Sequence, residues 1–150
     1  MIETRITVEP IGMHQKDAWR RLYQGYADFY DVELPDPVAE RVWGWLHDEH
    51  HPLEGVLALS GIRPVGIAHF RACPNPLRGG EIGFLDDLYV LPEERARGVG
   101  RALLGSIQRT ARRRGWRVVR WITAADNIGA KGLYDQVADG ARWDLYEMGS

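Results

Sequence analysis

The chain has 150 residues, 45% hydrophobic and 27% charged, which suits one soluble domain with a buried core and excludes disordered, collagenous and disulfide-stapled classes. Its single cysteine, Cys73, allows no intrachain disulfide and points to a reducing cytoplasm. No apolar run approaches the roughly 20 residues of a membrane helix, and MIETRITVEP lacks the basic start and apolar core of a signal peptide. The net charge of −2 is uneven: residues 1–54 carry eleven acids against five bases, residues 55–150 ten acids against fourteen bases. Such a split suits a site with one anionic and one cationic partner as well as it suits solvated faces of unlike sign.

TRITVEP alternates and predicts a strand. From Gly12 to Tyr30, Trp19, Leu22, Tyr23, Tyr26, Phe29 and Tyr30 recur at helical spacing. ELPDP breaks that helix, and Asp36-Pro37 predicts the cap and first position of another, reaching about His50. EGVLALS and PVGIAHFRAC predict two strands around Gly61-Ile62-Arg63, with Cys73 packed at the end of the second beside Pro74. PNPLRGG is a loop and EIGFLDDLYV a longer strand. A helix over Gly98–Arg114, the strand WRVVRWIT, a helix over Asn127–Val137 and a last strand, ARWDLYEM, complete the order β-α-α-β-β-β-α-β-α-β. No repeat or linker divides the chain, so residues 1–150 read as one α/β (α+β) domain, a mixed sheet with helices on both faces.

The stretch Arg95-Ala96-Arg97-Gly98-Val99-Gly100-Arg101 joins the fourth predicted strand to a helix. The first turn of a helix exposes unpaired N–H groups and about half a positive charge, and glycines let an anion reach them. Arg95, Arg97 and Arg101 add charge suited to phosphate oxygens. No Gly-Lys-Ser/Thr follows, so this is not a P-loop, and Leu103 stands where the dinucleotide fingerprint requires its third glycine.

RARGVG fits Arg/Gln-x-x-Gly-x-Gly/Ala, LYV precedes it, and Asn127-x-x-Ala130-x-x-x-Tyr134 follows. On these motifs and the element order the chain resembles the GNAT superfamily of N-acetyltransferases. FLDDLYVLPEERARGVGRAL, LYQGYADFY and LYDQVA are similar to the yeast histone/polyamine acetyltransferases, and LDDLYV also to the diamine acetyltransferases. The resemblance implies a mostly antiparallel mixed sheet with about four helices, and acetyl-coenzyme A as cosubstrate, its pyrophosphate on Arg95–Arg101. It further implies a strand splayed from its neighbour, with the Leu88 N–H facing the thioester oxygen, Tyr89 and Val90 along the pantetheine arm, and Asn127 contacting that arm. Tyr134 matches the acid that protonates the departing thiolate, a sensible task for a phenol. Ala96 replaces the glycine most common at its position, a change expected to be mild because a small residue remains.

Asp86 and Asp87 are costly inside an apolar strand unless they have partners. Regular alternation sends them to opposite faces and so to different tasks; the resemblance to the diamine acetyltransferases, whose matching acids bind the polycation and pass on its proton, implies that Asp86 takes the amine's proton and Asp87 binds substrate cation. Pairing of either with an arginine is the competing expectation. Tyr26 and Tyr30, four residues apart on one helix face, and Glu33 beyond them suit an ammonium acceptor through cation–π and Coulomb attraction. The expected reaction is direct attack by an amine in a ternary complex. The acceptor is a polyamine, diamine or other small cation, with a protein lysine, or a non-catalytic acyl-coenzyme A sensor, as rivals.

His47-Asp48-Glu49-His50-His51 has no defensible ligand spacing and reads as a solvated helix end rather than a metal site. Arg109, Arg112, Arg113 and Arg114 read as a solvated face, not a nucleic-acid surface, given the acidic total. Only sixteen residues follow Tyr134, enough for one strand where relatives form two, so a partner chain is expected to complete the sheet in a homodimer.

Overall fold

In the computed structural model, which describes residues 4–150, the chain builds a five-stranded sheet in the order β1-β2-β3-β4-β5. The strands are β1 (Ile6–Pro10), β2 (Leu53–Ser60), β3 (Arg63–Asn75), β4 (Gly80–Val90) and β5 (Val119–Arg120). The helices are α1 (Lys16–Phe29), α2 (Asp36–Leu46), α3 (Val99–Arg114) and α4 (Ile128–Val137). β1 through β4 pair antiparallel and β5 joins β4 in parallel. The expected order is therefore observed through the fourth helix.

Strand alternation divides the core into two layers. Val56, Ala58 and Ala68 face α3, where Leu103 and Ile107 are buried, while Leu57 and Ile67 face α1 and α2, against Trp19 and Trp43. Helices thus cover both sides of the sheet. Gly25 lets α1 approach closely, because a Cβ there would stand 2.6 Å from the Tyr89 hydroxyl. Asp36 does not cap α2 as expected; it lies inside the first turn, and its carboxylate accepts from Arg20 at 3.1 Å. α2 also stops at Leu46, four residues short of the predicted end.

Two strands fall short of expectation. WRVVRWIT forms a ladder only at Val119 and Arg120, opposite Gly83 and Phe84. ARWDLYEM forms no strand, and Trp143, Leu145, Tyr146 and Met148 are exposed. The reason is common to both: an alternating pattern becomes a strand only where a neighbour offers backbone partners. After Arg120 the chain leaves β4, and among the described residues the last segment forms no ladder with any strand.

Replacing Gly25 by Val should lower unfolding free energy in urea by about 1–3 kcal/mol, the usual cost of overpacking. An unchanged midpoint would show that α1 is free to retreat from Tyr89.

Candidate active site

The site is organised by one extra residue in β4. His69 is opposite Asp87, but the next residue of β3, Phe70, is opposite Leu85, so Asp86 is a bulge. Backbone polarity shows the same shift. The Gly83 N–H donates to Val118 beside β5, whereas the Leu91 N–H donates to Val65 at β3. Eight residues apart in a regular strand, both would point the same way.

The bulge corrects the expectation that the two acids face opposite sides. Arg71, directly opposite Phe84, reaches Asp86 with Nε at 2.9 Å from Oδ2 and a terminal nitrogen at 3.3 Å from Oδ1. His69 Nδ1 lies 2.8 Å from Asp87 Oδ2. Since His69 and Arg71 are two residues apart on β3, they share a face, and both acids meet them there. The Arg71–Asp86 pair is partly open, with side chains 39% and 28% exposed, so it contributes under about 1 kcal/mol. Its bonding to Asp86 raises the Arg71 guanidinium further, and the guanidinium lies 4.9 Å above the Phe84 ring.

Asp87 is enclosed by an imidazole and two phenols. His69 is completely buried, and its Nε2 receives the Trp19 Nε1–H at 2.9 Å. The Tyr23 and Tyr26 phenols turn toward Asp87; burial, followed by that carboxylate's charge and hydrogen bonding, pushes both well above the ordinary phenol range. Tyr26 and Tyr30 are in contact, as their spacing predicts, with ring centroids 5.0 Å apart and planes tilted by 60°. Glu33 does not join them. It lines a separate recess of about 550 Å³ with Gln24, Asp28 and Asp31.

Beyond Phe84, β4 has no ladder partner on the β5 side. Because Leu91 N–H points to β3, alternation places the backbone groups of Leu88 and Val90 toward the gap. Val90 C=O there accepts from Arg95 Nε at 3.1 Å, and the Arg95 guanidinium lies over the rings of Phe29 and Tyr89. The gap ends at the start of α3. Gly98 adopts φ 85°, offers no capping side chain, and has no heavy atom within 4 Å of where a Cβ would be. The first bond into the helix runs from Ala102 N–H to Gly98 C=O, which leaves the N–H groups of Val99, Gly100 and Arg101 without intrahelical acceptors. Ala96 has φ 62°, so its replacement of glycine is not mild: a β-carbon is held in the left-handed region.

The three arginines of the turn are less free than their spacing suggests. Arg95 is drawn inward as described. Arg97 lies 3.7 Å from Glu94, which also holds Arg63, and Arg101 donates to Gln136 of α4.

Across the gap, Asn127 caps α4 by accepting the Ala130 N–H, and its amide reaches Tyr30 and Thr123, each at 3.4 Å. Tyr134 packs edge-on against Trp121 with centroids 5.3 Å apart. Burial, with a smaller contribution from Tyr30, pushes its phenol up to about 12, so it stays protonated throughout the ordinary range of pH.

His69, Arg71, Trp19 and Tyr23 were not singled out by sequence. The available signal was His69 and Arg71 at period two inside an apolar strand. Elsewhere the charged clusters are absorbed structurally. His47 packs on Trp43, His51 stacks on Trp45, and Arg114 pairs with Glu54.

The Acetyltransferase (GNAT) family matches residues 19–138. This chain belongs to that family. It is an N-acetyltransferase, 31% identical over 140 residues to the D-amino-acid N-acetyltransferase HPA3 of Saccharomyces cerevisiae, covering 92% of this chain and 87% of that one. In fold it is similar to the ribosomal-protein-alanine N-acetyltransferase of Brucella melitensis biovar Abortus 2308, with TM-score 0.81, 22% identity, and 97% and 99% of the two chains covered. It is also similar to aminoglycoside N-acetyltransferase AAC(6')-Iy in complex with CoA, with TM-score 0.81, 17% identity, and 97% and 95% covered. Among the described residues, no helix is long and apolar enough to cross a membrane.

Ala96→Gly should raise stability on the order of 0.5–1 kcal/mol in urea titration, the relief of left-handed strain exceeding the entropy glycine adds to the unfolded chain. A loss instead would mean that the turn relaxes around alanine without strain.

Proposed function

We propose that this N-acetyltransferase takes its acetyl group from acetyl-coenzyme A and passes it to a small cationic amine by direct attack in a ternary complex. The observation that carries the reading is the bulged β4. It turns the backbone of Leu88 and Val90 away from β3 toward a gap that ends at an uncapped helix, with only the Val90 C=O taken up, by Arg95, and it sets a carboxylate, Asp87, on the adjoining face. The residues fit the cosubstrate. A glycine cradle and free N–H groups at Gly98–Arg101 suit a pyrophosphate, with Arg95, Ala96, Arg97 and Val99 completing the turn. Leu88, Tyr89, Val90 and Asn127 would line the pantetheine arm, and Leu88 N–H would stabilise charge developing on the thioester oxygen.

The amine arrives as an ammonium between Asp87 and the faces of Tyr26 and Tyr30, with Glu33 contributing acidic potential from the neighbouring recess. Its proton leaves by way of Asp86, whose oxygens keep lone pairs for water beside Arg71. The freed nitrogen attacks the acyl carbon, Tyr134, still protonated, supplies the proton that the departing sulfur needs as the C–S bond breaks, and the second proton, shed by the newly acylated nitrogen, restores the phenol by way of solvent.

A second reading is favoured by Arg71. An acceptor bearing both an amine and a carboxylate, such as an amino acid, would find opposite charges on one face, and the yeast relative is described as a D-amino-acid N-acetyltransferase. A protein lysine is a third acceptor class. The exposed Trp143, Leu145, Tyr146 and Met148, together with β5 standing at the end of the sheet, support a homodimer in which this segment pairs with a second copy. The single cysteine supports a cytoplasmic setting.

Calorimetric titration with acetyl-coenzyme A should give binding that Gly98→Glu abolishes, and no binding by the unaltered protein would overturn the reading. Thiol release over spermidine, D-amino acids, an aminoglycoside and a lysine peptide then names the acceptor class. Tyr134→Phe should lower kcat by about 10²-fold or more with unchanged acetyl-coenzyme A affinity. Asp87→Asn should raise KM for the amine alone. Sedimentation should give a dimer that truncation after residue 140 converts to monomer; a monomeric full chain would remove the pairing.

A further inference from the structure

His69 is enclosed by Trp19 and Tyr23 of α1, Gly55 of β2 and Asp87 of β4. An indole N–H can only donate, so His69 Nε2, 2.9 Å from Trp19 Nε1, carries no proton. The single proton of the ring therefore sits on Nδ1 and is donated to Asp87 Oδ2. A second proton on Nε2 would set two N–H groups against each other in a fully buried site, where His69 Nε2 is the one acceptor that the Trp19 N–H meets among the described residues. The indole thus fixes the ring as a neutral donor aimed at Asp87.

The two acids consequently differ in charge balance, although they are adjacent and share a face. Asp86 is compensated by Arg71, whereas Asp87 is surrounded by dipoles: His69 and the Tyr23 and Tyr26 phenols. Dipoles orient a carboxylate and replace its water without cancelling its charge. An imidazolium at position 69 would occupy Asp87 as an ion pair and compete with any incoming ammonium.

We propose that Trp19 and His69 are a positioning pair that holds Asp87 as an oriented, uncompensated carboxylate for the acceptor's ammonium. The inference rests on the reading of Asp87 as the acceptor-binding residue. Neither residue of the pair touches substrate; both act through Asp87.

Nitrogen-15 NMR of the histidine-labelled, unaltered protein tests the pair directly. His69 should appear as the neutral Nδ1-protonated tautomer, and an Nε2-protonated ring or an imidazolium would overturn the inference. Trp19→Phe removes the donor while keeping an aromatic ring. It should raise KM for spermidine, or for the fastest amine of the panel, about tenfold, equivalent to about 1.4 kcal/mol. Acetyl-coenzyme A KM should stay within about twofold, because Trp19 packs in the core layer on the other side of the sheet from α3. Equal rises in both constants, or no rise, would overturn the positioning role. Asp87→Asn separates the two levels. An unchanged amine KM in that variant defeats the acceptor reading and the inference with it, while a raised KM alongside an Nε2-protonated His69 defeats the inference alone.

Discussion

One additional residue in a β-ladder governs this site. Because Asp86 has no partner on β3, every position after it is shifted by one relative to the positions before it. The shift brings Asp87 to the side already occupied by Asp86, and it turns the Leu88 and Val90 backbone into the gap left by β5. The paired carboxylates and the open backbone are therefore set by the same local event. In a strand without the bulge, the backbone at 88 and 90 would be consumed by β3, and the acids would be split between two helical layers.

The bulge is tolerated because β3 supplies matching partners at the right spacing. Arg71 and His69 are two residues apart, which restores on one face what the bulge collects there. The aromatic side of α1 closes the arrangement: Trp19, Tyr23 and Tyr26 descend the helix at spacings of four and three, Tyr30 follows at its C-cap, and each ring touches the next. Gly25 sets how closely that helix can approach.

Much of the architecture was legible from residues alone. Periodicity switched cleanly between two and 3.6 along the chain, and glycine and proline marked most joins, so the order of elements through α4 followed. Gly98, Asn127 and Tyr134 stood in recognisable spacing. The bulge was not legible, since FLDDLYV alternates equally well with or without one, and the difference lies in what β3 offers across the ladder. ARWDLYEM misled for the converse reason: its pattern is that of a strand, but its pairing depends on an edge that the described residues leave unfilled. Trp19 read as core and is core, yet its one polar atom directs a histidine, something periodicity does not register.

The seclusion of Asp87 bears on how binding responds to dissolved ions. Its side chain is only 17% exposed, and mobile counterions screen a charge weakly when low-dielectric walls keep them at a distance. Attraction between this carboxylate and a cation lodged against it persists at ionic strengths that erase the pull of exposed acids such as Asp28 or Glu33. In the proposed reaction, added electrolyte therefore slows the approach of the ammonium past those exposed acids more than it loosens one already seated, so rate of capture and tightness of hold respond to the medium separately.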